Sequence, residues 1–206
     1  MPRQPVWQTN HDILKETRTM FTETIEEPDK KPGKLEDYVF RKPDASDGAN
    51  VHELVARSKP LLPNSTYCNL LQCTHFADTC VVAETDDGKL AGWTSAYILP
   101  KQPNVLFVWQ IAVDESARGK GLARKMLAEL LNRDACEDVQ FIETTVTPEN
   151  DAAWKMFSRF AYRRRWKTEQ FILFDGRIHF SGEHTDEHLL RIGPFNRDQV
   201  DEVLDS

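Results

Sequence analysis

The run Val105-Leu106-Phe107-Val108-Trp109-Gln110-Ile111-Ala112-Val113 constrains this chain more than any other. It is apolar but for one amide, so it reads as a strand buried on both faces, at the centre of a sheet covered above and below. It leads through Asp114-Glu115-Ser116-Ala117 into Arg118-Gly119-Lys120-Gly121-Leu122-Ala123. Leu122, Met126, Leu127, Leu130 and Leu131 then recur at helical spacing. A central strand thus feeds a glycine-rich turn that opens an amphipathic helix. Residues without Cβ let peptide N–H groups close around an anion. The unpaired amides and positive dipole end of the helix favour a pyrophosphate there, and Arg118 and Lys120 add charge. The plainer reading is a connection whose glycines only make the turn. No Gly-Lys-Ser/Thr closes the loop, which excludes a P-loop. The GxGxxG dinucleotide pattern fits poorly, because its first glycine is misplaced and no acidic residue ends the next strand.

The flanking elements are read in the same way. Tyr38 to Arg41 is a strand that Pro43 ends, and Asp44 with Asp47 resembles a capping pair for a helix around Val51, Leu54 and Val55. A second helical stretch covers Ser65 to Phe76, with Asn64 or Ser65 as its cap. Thr79 to Ala83 and Leu90 to Ile98 are strands joined by Asp86-Asp87-Gly88-Lys89, a hairpin signal because the turn needs positive φ. Phe141 to Val146 is a strand. Pro148, Asn150, Ala153, Met156, Phe157 and Phe160 mark a helix, while Phe171 to Phe174 and His188 to Ile192 are closing strands. This order gives an α/β (α+β) domain, a mixed sheet with helices on its faces, over residues 37–195. Residues 1–36, polar and broken by Pro28 and Pro32, are expected to be a flexible arm, and 196–206 a polar tail.

Composition excludes several classes. With 206 residues the chain suits one well-buried core. Thirty-three acidic against 26 basic residues give a net charge of −7, which argues against non-specific nucleic-acid binding. No run of 18 apolar residues and no apolar N-terminal stretch behind basic residues occurs, so neither a membrane span nor a signal peptide is expected. Cys68, Cys73, Cys80 and Cys136 form no CxxC pair, and the histidines are not spaced as zinc partners. A cytoplasmic protein with reduced thiols and no metal is expected.

Arg118, Gly121 and Ala123, after an apolar strand and before an amphipathic helix, form Arg-x-x-Gly-x-Ala, which resembles the acetyl-CoA signature of the GNAT superfamily. Thr147-Pro148-Glu149-Asn150-x-x-Ala153-x-x-Met156-Phe157 resembles its later strand–Asn–helix segment. The resemblance implies a mixed, mostly antiparallel GNAT sheet flanked by helices. It also implies that Ile111, Ala112, Val113, Arg118, Gly119, Lys120, Gly121, Leu122, Ala123, Asn150 and Phe157 bind the cofactor. Five further segments are similar to the L-2,4-diaminobutyrate acetyltransferase family of ectoine biosynthesis: Asn64-Ser65-Thr66-Tyr67, His75 to Cys80, Phe107 to Gln110, Glu143 to Pro148, and Arg191-Ile192-Gly193-Pro194. That family transfers acetyl from acetyl-CoA to the γ-amine of diaminobutyrate, and a homodimer is expected. The chain departs from the pattern twice. Phe157 stands where many GNAT enzymes carry the tyrosine that protonates the leaving thiolate. Leu62 stands where an acidic residue is expected two positions before the Asn of the Asn-Ser motif.

An amine attacks a thioester only when neutral, and the substrate amines have pKa values of ~10. A base must remove a proton, and peptide N–H groups of a splayed strand can hold the thioester oxygen as charge builds. Glu143 is the first candidate base, and Tyr67 a candidate acid or substrate ligand. Asn64, Trp109, Thr144, His184, Asp186 and Glu187 complete the expected substrate set. Plainer readings stay open: a salt-bridged strand carboxylate for Glu143, core packing for Trp109 and Tyr67, and a solvated hairpin for His184, Asp186 and Glu187. Arg163-Arg164-Arg165 is either a solvated run or a contact for the cofactor's phosphate or a partner chain. The alternative functions are acetylation of another small amine, or a non-catalytic acyl-CoA-binding module.

Overall fold

The computed structural model describes residues 35–196 and 198–201. The arm expected over 1–36 lies outside the described residues except for its last two positions, as does most of the expected tail. The described chain forms a seven-stranded sheet in the order β1-β2-β3-β4-β5-β7-β6. The strands are β1 (Tyr38–Arg41), β2 (Val81–Thr85), β3 (Leu90–Leu99), β4 (Gln102–Val113), β5 (Phe141–Val146), β6 (Thr168–Phe174) and β7 (Glu187–Ile192). Only β4 and β5 run parallel; every other neighbouring pair is antiparallel.

Alternation along the strands builds one core on each face. Val81 and Ala83 of β2 face one way with Leu106 and Val108 of β4, Ile142 of β5, and Leu190 and Ile192 of β7. Onto that face pack helix α3 (Leu122–Leu131), through Leu122, Met126 and Leu130, and helix α4 (Asp151–Arg163), through Phe157 and Phe160. The intervening Val82 faces the other way with Trp93 and Ala112, under helix α1 (Gly48–Arg57). Helix α2 (Thr66–His75) adds Cys73 to this second core. A four-residue helix α5 (Gly176–His179) lies between β6 and β7, and α6 (Asp198–Asp201) buries Val200 against the first core.

Local signals set several boundaries. Asp44 and Asp47 form a reciprocal capping box at the turn preceding α1. The Ser65 hydroxyl accepts from the Cys68 amide at the start of α2, 3.1 Å. The β2–β3 hairpin turns through Gly88 at φ +77. Elsewhere the boundaries move. The helix expected from about Gly119 begins at Leu122, because Gly119 and Gly121 hold φ of +78 and +82, outside the right-handed helical region. The strand expected over Thr79 to Ala83 runs two residues later, because Ala77–Thr79 forms a 3-10 turn and the Thr79 hydroxyl donates to the Ala96 carbonyl at 2.7 Å. The strand expected over Phe171 to Phe174 starts at Thr168, since polar Thr168-Glu169-Gln170 pair with β7 at the sheet's exposed edge.

One charged cluster closes the β1 end. The Arg41 guanidinium donates twice to the Asp47 carboxylate, both at 2.8 Å, and also to Glu84. Asp47, buried at 4% exposure, accepts in addition from the Asp44 amide. Removing it strands Arg41 beside one partner and opens the cap. Asp47→Ala is expected to lower unfolding stability by about 3 kcal/mol, read from the urea midpoint at unchanged m value.

Candidate active site

The parallel ladder between β4 and β5 is short. It pairs Val105 with Phe141, Leu106 with Ile142 and Phe107 with Glu143, then ends. Just beyond, β4 bulges against β3: Ser95 pairs with Gln110 but Ala96 with Val108, so Trp109 is the extra residue. A bulge bends its strand and shifts the side-chain alternation by one. The rest of β4 therefore diverges from β5, and a cleft of about 280 Å³ opens between them. On one side of the sheet the cleft is bounded by Ser58 to Leu61, in the connection from α1 to α2. On the other side it meets Ala152, Met156 and Phe157 of α4. Past the last ladder pair, β4 presents unpaired peptide edges to this opening.

The bulge decides which residues face the cleft. Val108 lies on the α3/α4 side, and the shift puts Ile111 and Val113, not Ala112, on that side next. Ile111 and Val113 line the cleft, whereas Ala112 is buried on the opposite face beside Trp93. Trp109 and Gln110 line it from the bulge itself. Arg118 and Ala123 reach its wall, and so do Thr144, Asn150 and Phe157. The two segments singled out by motif thus meet across one opening. Arg118 Nε donates to the Val113 carbonyl at 3.2 Å, folding the loop back onto the strand end. Asn150 Oδ1 accepts from the Ala153 amide at 3.2 Å, which commits the acceptor half of its side chain to capping α4.

Gly119, Lys120 and Gly121 shape the loop above the wall, and the Leu122 side chain is in the core. Lys120 is turned toward β1, with its Nζ donating to the Tyr38 hydroxyl at 3.1 Å. Lys125 is the first residue of α3 whose amide reaches back to a helical carbonyl, that of Gly121. The amides before it form the open first turn of the helix.

A family model described as Acetyltransferase (GNAT) family matches residues 49–162. The L-2,4-diaminobutyric acid acetyltransferase of Methylotuvimicrobium alcaliphilum is 45% identical over 158 residues, covering 77% of this chain and 91% of that protein. The protein of the same name from Vibrio cholerae is 46% identical over 155 residues, 75% and 89% of the two. The solved structure of diaminobutyrate acetyltransferase EctA from Paenibacillus lautus, in complex with its substrate L-2,4-diaminobutyric acid and coenzyme A, is similar at 41% identity. Its TM-score is 0.73, with coverage of 77% of this chain and 96% of that one. The chain belongs to the diaminobutyric acid acetyltransferase family of GNAT enzymes.

In a GNAT enzyme the cleft and loop receive acetyl-CoA, and the donor set fits that ligand. The loop offers peptide N–H groups, a helix start and Arg118 for a pyrophosphate, and the cleft offers a narrow apolar channel between two strands. Among the described residues no group of three or more His, Cys, Asp or Glu is arranged to hold a metal ion, and no helix is long and apolar enough to cross a membrane.

The expected substrate residues fall into two groups; Trp109 and Thr144 line the cleft, whereas Asn64, Tyr67, Glu143, His184, Asp186 and Glu187 do not. Trp109, 47% exposed, stands edge-on to Tyr97 with ring centroids 6.3 Å apart, and Tyr97 packs on Phe107 at 5.3 Å. Glu143 pairs with Phe107 at the apex where the strands part; burial first, and then the Glu143 charge, raise the Tyr97 hydroxyl pKa. Glu143 is 5% exposed, and Arg191 Nη1 donates to its Oε1 at 2.5 Å. Burial pushes the Glu143 carboxyl up, and the Arg191 charge and hydrogen bond pull it part of the way back. The Arg191 guanidinium lies 3.9 Å from the Phe141 ring centre. Glu187, at the start of β7, shares by alternation the face of Arg191. It stands 3.9 Å from His184 Nε2.

The second group is further out. Asn64 donates to the Gln110 side chain at 3.4 Å, and Gln110 donates to the Leu62 carbonyl at 3.1 Å, which ties this connection to β4. Tyr67 is 70% exposed on the first turn of α2 and does not line the cleft. Asp186 accepts from the Gly176 amide at 2.7 Å, anchoring α5. Tyr97 and the Ser58 to Leu61 connection escaped the sequence reading, which marked Phe107 and Arg191 only as members of family-like segments, without a place at the site. Strand alternation marks Tyr97 and Phe107 once the bulge is known, but nothing local shows that Arg191 pairs with Glu143.

Gly121→Asp places a carboxylate and a Cβ at φ +82, with the Cβ 3.1 Å from Arg124 Nη2. Calorimetry on the folded variant is expected to show acetyl-CoA affinity reduced by about 100-fold or more, as charge-assisted contacts of a pyrophosphate are lost.

Proposed function

We propose that this protein transfers the acetyl group of acetyl-CoA to the γ-amine of L-2,4-diaminobutyrate, giving N4-acetyl-diaminobutyrate for the synthesis of ectoine, a compatible solute. The observation that carries this reading is the opening between β4 and β5. The two GNAT segments meet across it, and Trp109 lines it just past the ladder pair of Phe107 with Glu143. It is supported by relatives of that name at 45–46% identity across most of their length.

Acetyl-CoA supplies an acetyl group already activated as a thioester. Arg118, the 119–123 loop and Asn150 hold the donor, and peptide N–H groups on the free edge of β4 face its carbonyl oxygen. The amine enters from the Trp109 side, where Trp109 and Tyr97 offer ring faces to an ammonium. Asn64, Tyr67, Thr144, His184, Asp186 and Glu187 belong to the substrate side in this reading. Glu143 takes the proton that the attacking amine must lose. Its upward shift from burial brings a carboxylate nearer to neutrality, which suits a base, and Arg191 keeps it ionised enough to act. Phe157 gives the cleft a carbon wall where a hydroxyl is more usual; of the two expected proton sources for the thiolate, Tyr67 and water, the exposed position of Tyr67 outside the cleft favours water.

A homodimer belongs to the same reading. It is supported by β6, an edge strand with Ile172 and Phe174 exposed, and by exposed Ile178 beside it. A cytoplasmic location is supported by four cysteines, none in a disulfide.

A substrate panel with product analysis tests the function. Acetylation of diaminobutyrate at the γ-nitrogen is expected, with lysine used far less well, because each surplus methylene costs about 1–3 kcal/mol in a small pocket. Equal kcat/KM for the two amines overturns the substrate assignment. For the base, Glu143→Gln is expected to lower kcat by roughly 10²–10⁴ with acetyl-CoA affinity retained. In Arg191→Gln the downward pull on Glu143 is gone, so the carboxyl titrates at higher pH. The acid limb of kcat/KM is expected to move upward in that variant and to vanish in Glu143→Gln. If Glu143→Gln keeps both its rate and its limb, the proton goes to Glu187, and Glu187→Gln shows the loss instead.

A further inference from the structure

Two cations line the cleft, and the transfer described above uses only one of them. Arg118 folds back onto the Val113 carbonyl beside the cofactor loop. Lys59 lines the cleft from the other side of the sheet, in the connection from α1 to α2. Three further polar residues line it there. Ser58 is 3% exposed, and its hydroxyl donates to the Leu54 carbonyl at 2.7 Å. Gln110 commits both halves of its amide, to Leu62 and to Asn64. Thr145, which alternation along β5 puts on the face of Glu143, is neutral. Lys59 is exposed, and among the described residues its ammonium has neither an ion pair nor a hydrogen bond. Arg57, just before it, is by contrast tied to Asp114 at 3.0 Å.

The charges around this side are unevenly spread. Glu143, 5% exposed, and Glu187 stand on β5 and β7, and the Arg191 guanidinium beside them is already paired with Glu143. A carboxylate brought to these strands meets two acids, whereas an amine is drawn to them. The connection from α1 to α2 is tied to β4 through Gln110, so it faces β5 from across the cleft. Its run Arg57-Ser58-Lys59-Pro60-Leu61-Leu62-Pro63-Asn64 holds no acidic residue. A molecule with an amine at one end and a carboxylate at the other is thereby given one orientation.

We propose that Lys59 binds the α-carboxylate of the substrate and so selects an amino acid over a plain diamine. The inference rests on the acetyl-transfer reading and deepens it, by adding the residue that reads the end of the substrate where no bond is made. An exposed ion pair between two mobile surface side chains contributes little. A ligand already held in a cleft loses less freedom in making the same contact, and a hydrogen bond between charged groups is the stronger kind. Gripping the carboxylate also keeps the neighbouring α-amine at the Lys59 end and leaves the γ-amine to reach the thioester.

Diaminobutyrate and 1,3-diaminopropane, which lacks only the carboxyl group, test the proposal. The wild-type protein is expected to favour diaminobutyrate by about 10-fold or more in kcat/KM, the size of one charge-assisted contact. In Lys59→Met that preference is expected to fall about 10-fold. The loss should appear chiefly in KM for diaminobutyrate, as for a contact made equally before and during the reaction. Lys59→Arg keeps the charge and is expected to retain most of the preference. Thermal unfolding confirms that each variant is folded. No preference in the wild type, a preference unchanged in Lys59→Met, or one lost as fully in Lys59→Arg overturns the carboxylate subsite and leaves the transfer reading standing. Acetylation of neither amine by the wild type overturns the transfer reading as well.

Discussion

Everything at this site depends on β4 and β5 running together for three residue pairs and then parting. Parallel strands joined through a helix normally stay paired along their shared length, because each unpaired peptide edge loses hydrogen bonds. Here the extra residue at Trp109 bends β4 away. The unmade ladder becomes a slot with peptide donors along one side. The helices that cover the sheet hold this open form, since the cores on both faces continue past the divergence through Ile111 and Val113 on one side and Ala112 on the other. The bulge therefore opens the slot and at the same time chooses which side chains line it.

The loop at the end of β4 is the second consequence. Gly119 and Gly121 take conformations that exclude them from the helix, so α3 starts only at Leu122, with its first amides turned to the mouth of the slot. Asn150 starts α4 at the opposite wall. Two helix starts thus converge on one opening, an arrangement suited to a ligand with a phosphorylated end and a long neutral arm.

Much of this was legible in the sequence because it is local. The Asp44–Asp47 cap, the Ser65 cap, the turn at Gly88 and the strand Phe141–Val146 each announce themselves within a few residues, and each is found. The motif around Arg118 marks the loop correctly but not its geometry, since spacing cannot tell a glycine inside a helix from one at positive φ. The phase of β4 was hidden for a different reason. A run that is apolar throughout has no alternation to read, so the change of face between Val108 and Ala112 leaves no trace in composition. The pairing of Arg191 with Glu143 was hidden by distance: 48 residues separate them, and only the β5–β7 register brings the two together.

The slot is lined by α4 on one side of the sheet and by the connection between α1 and α2 on the other, and that bears on traffic. An enzyme that takes both substrates through one entrance must let one product clear before the other can move. A passage open at both ends has no such queue. A bulky nucleotide carrier and a small amine could then approach from opposite faces of the sheet, meeting between β4 and β5 just past the end of their ladder.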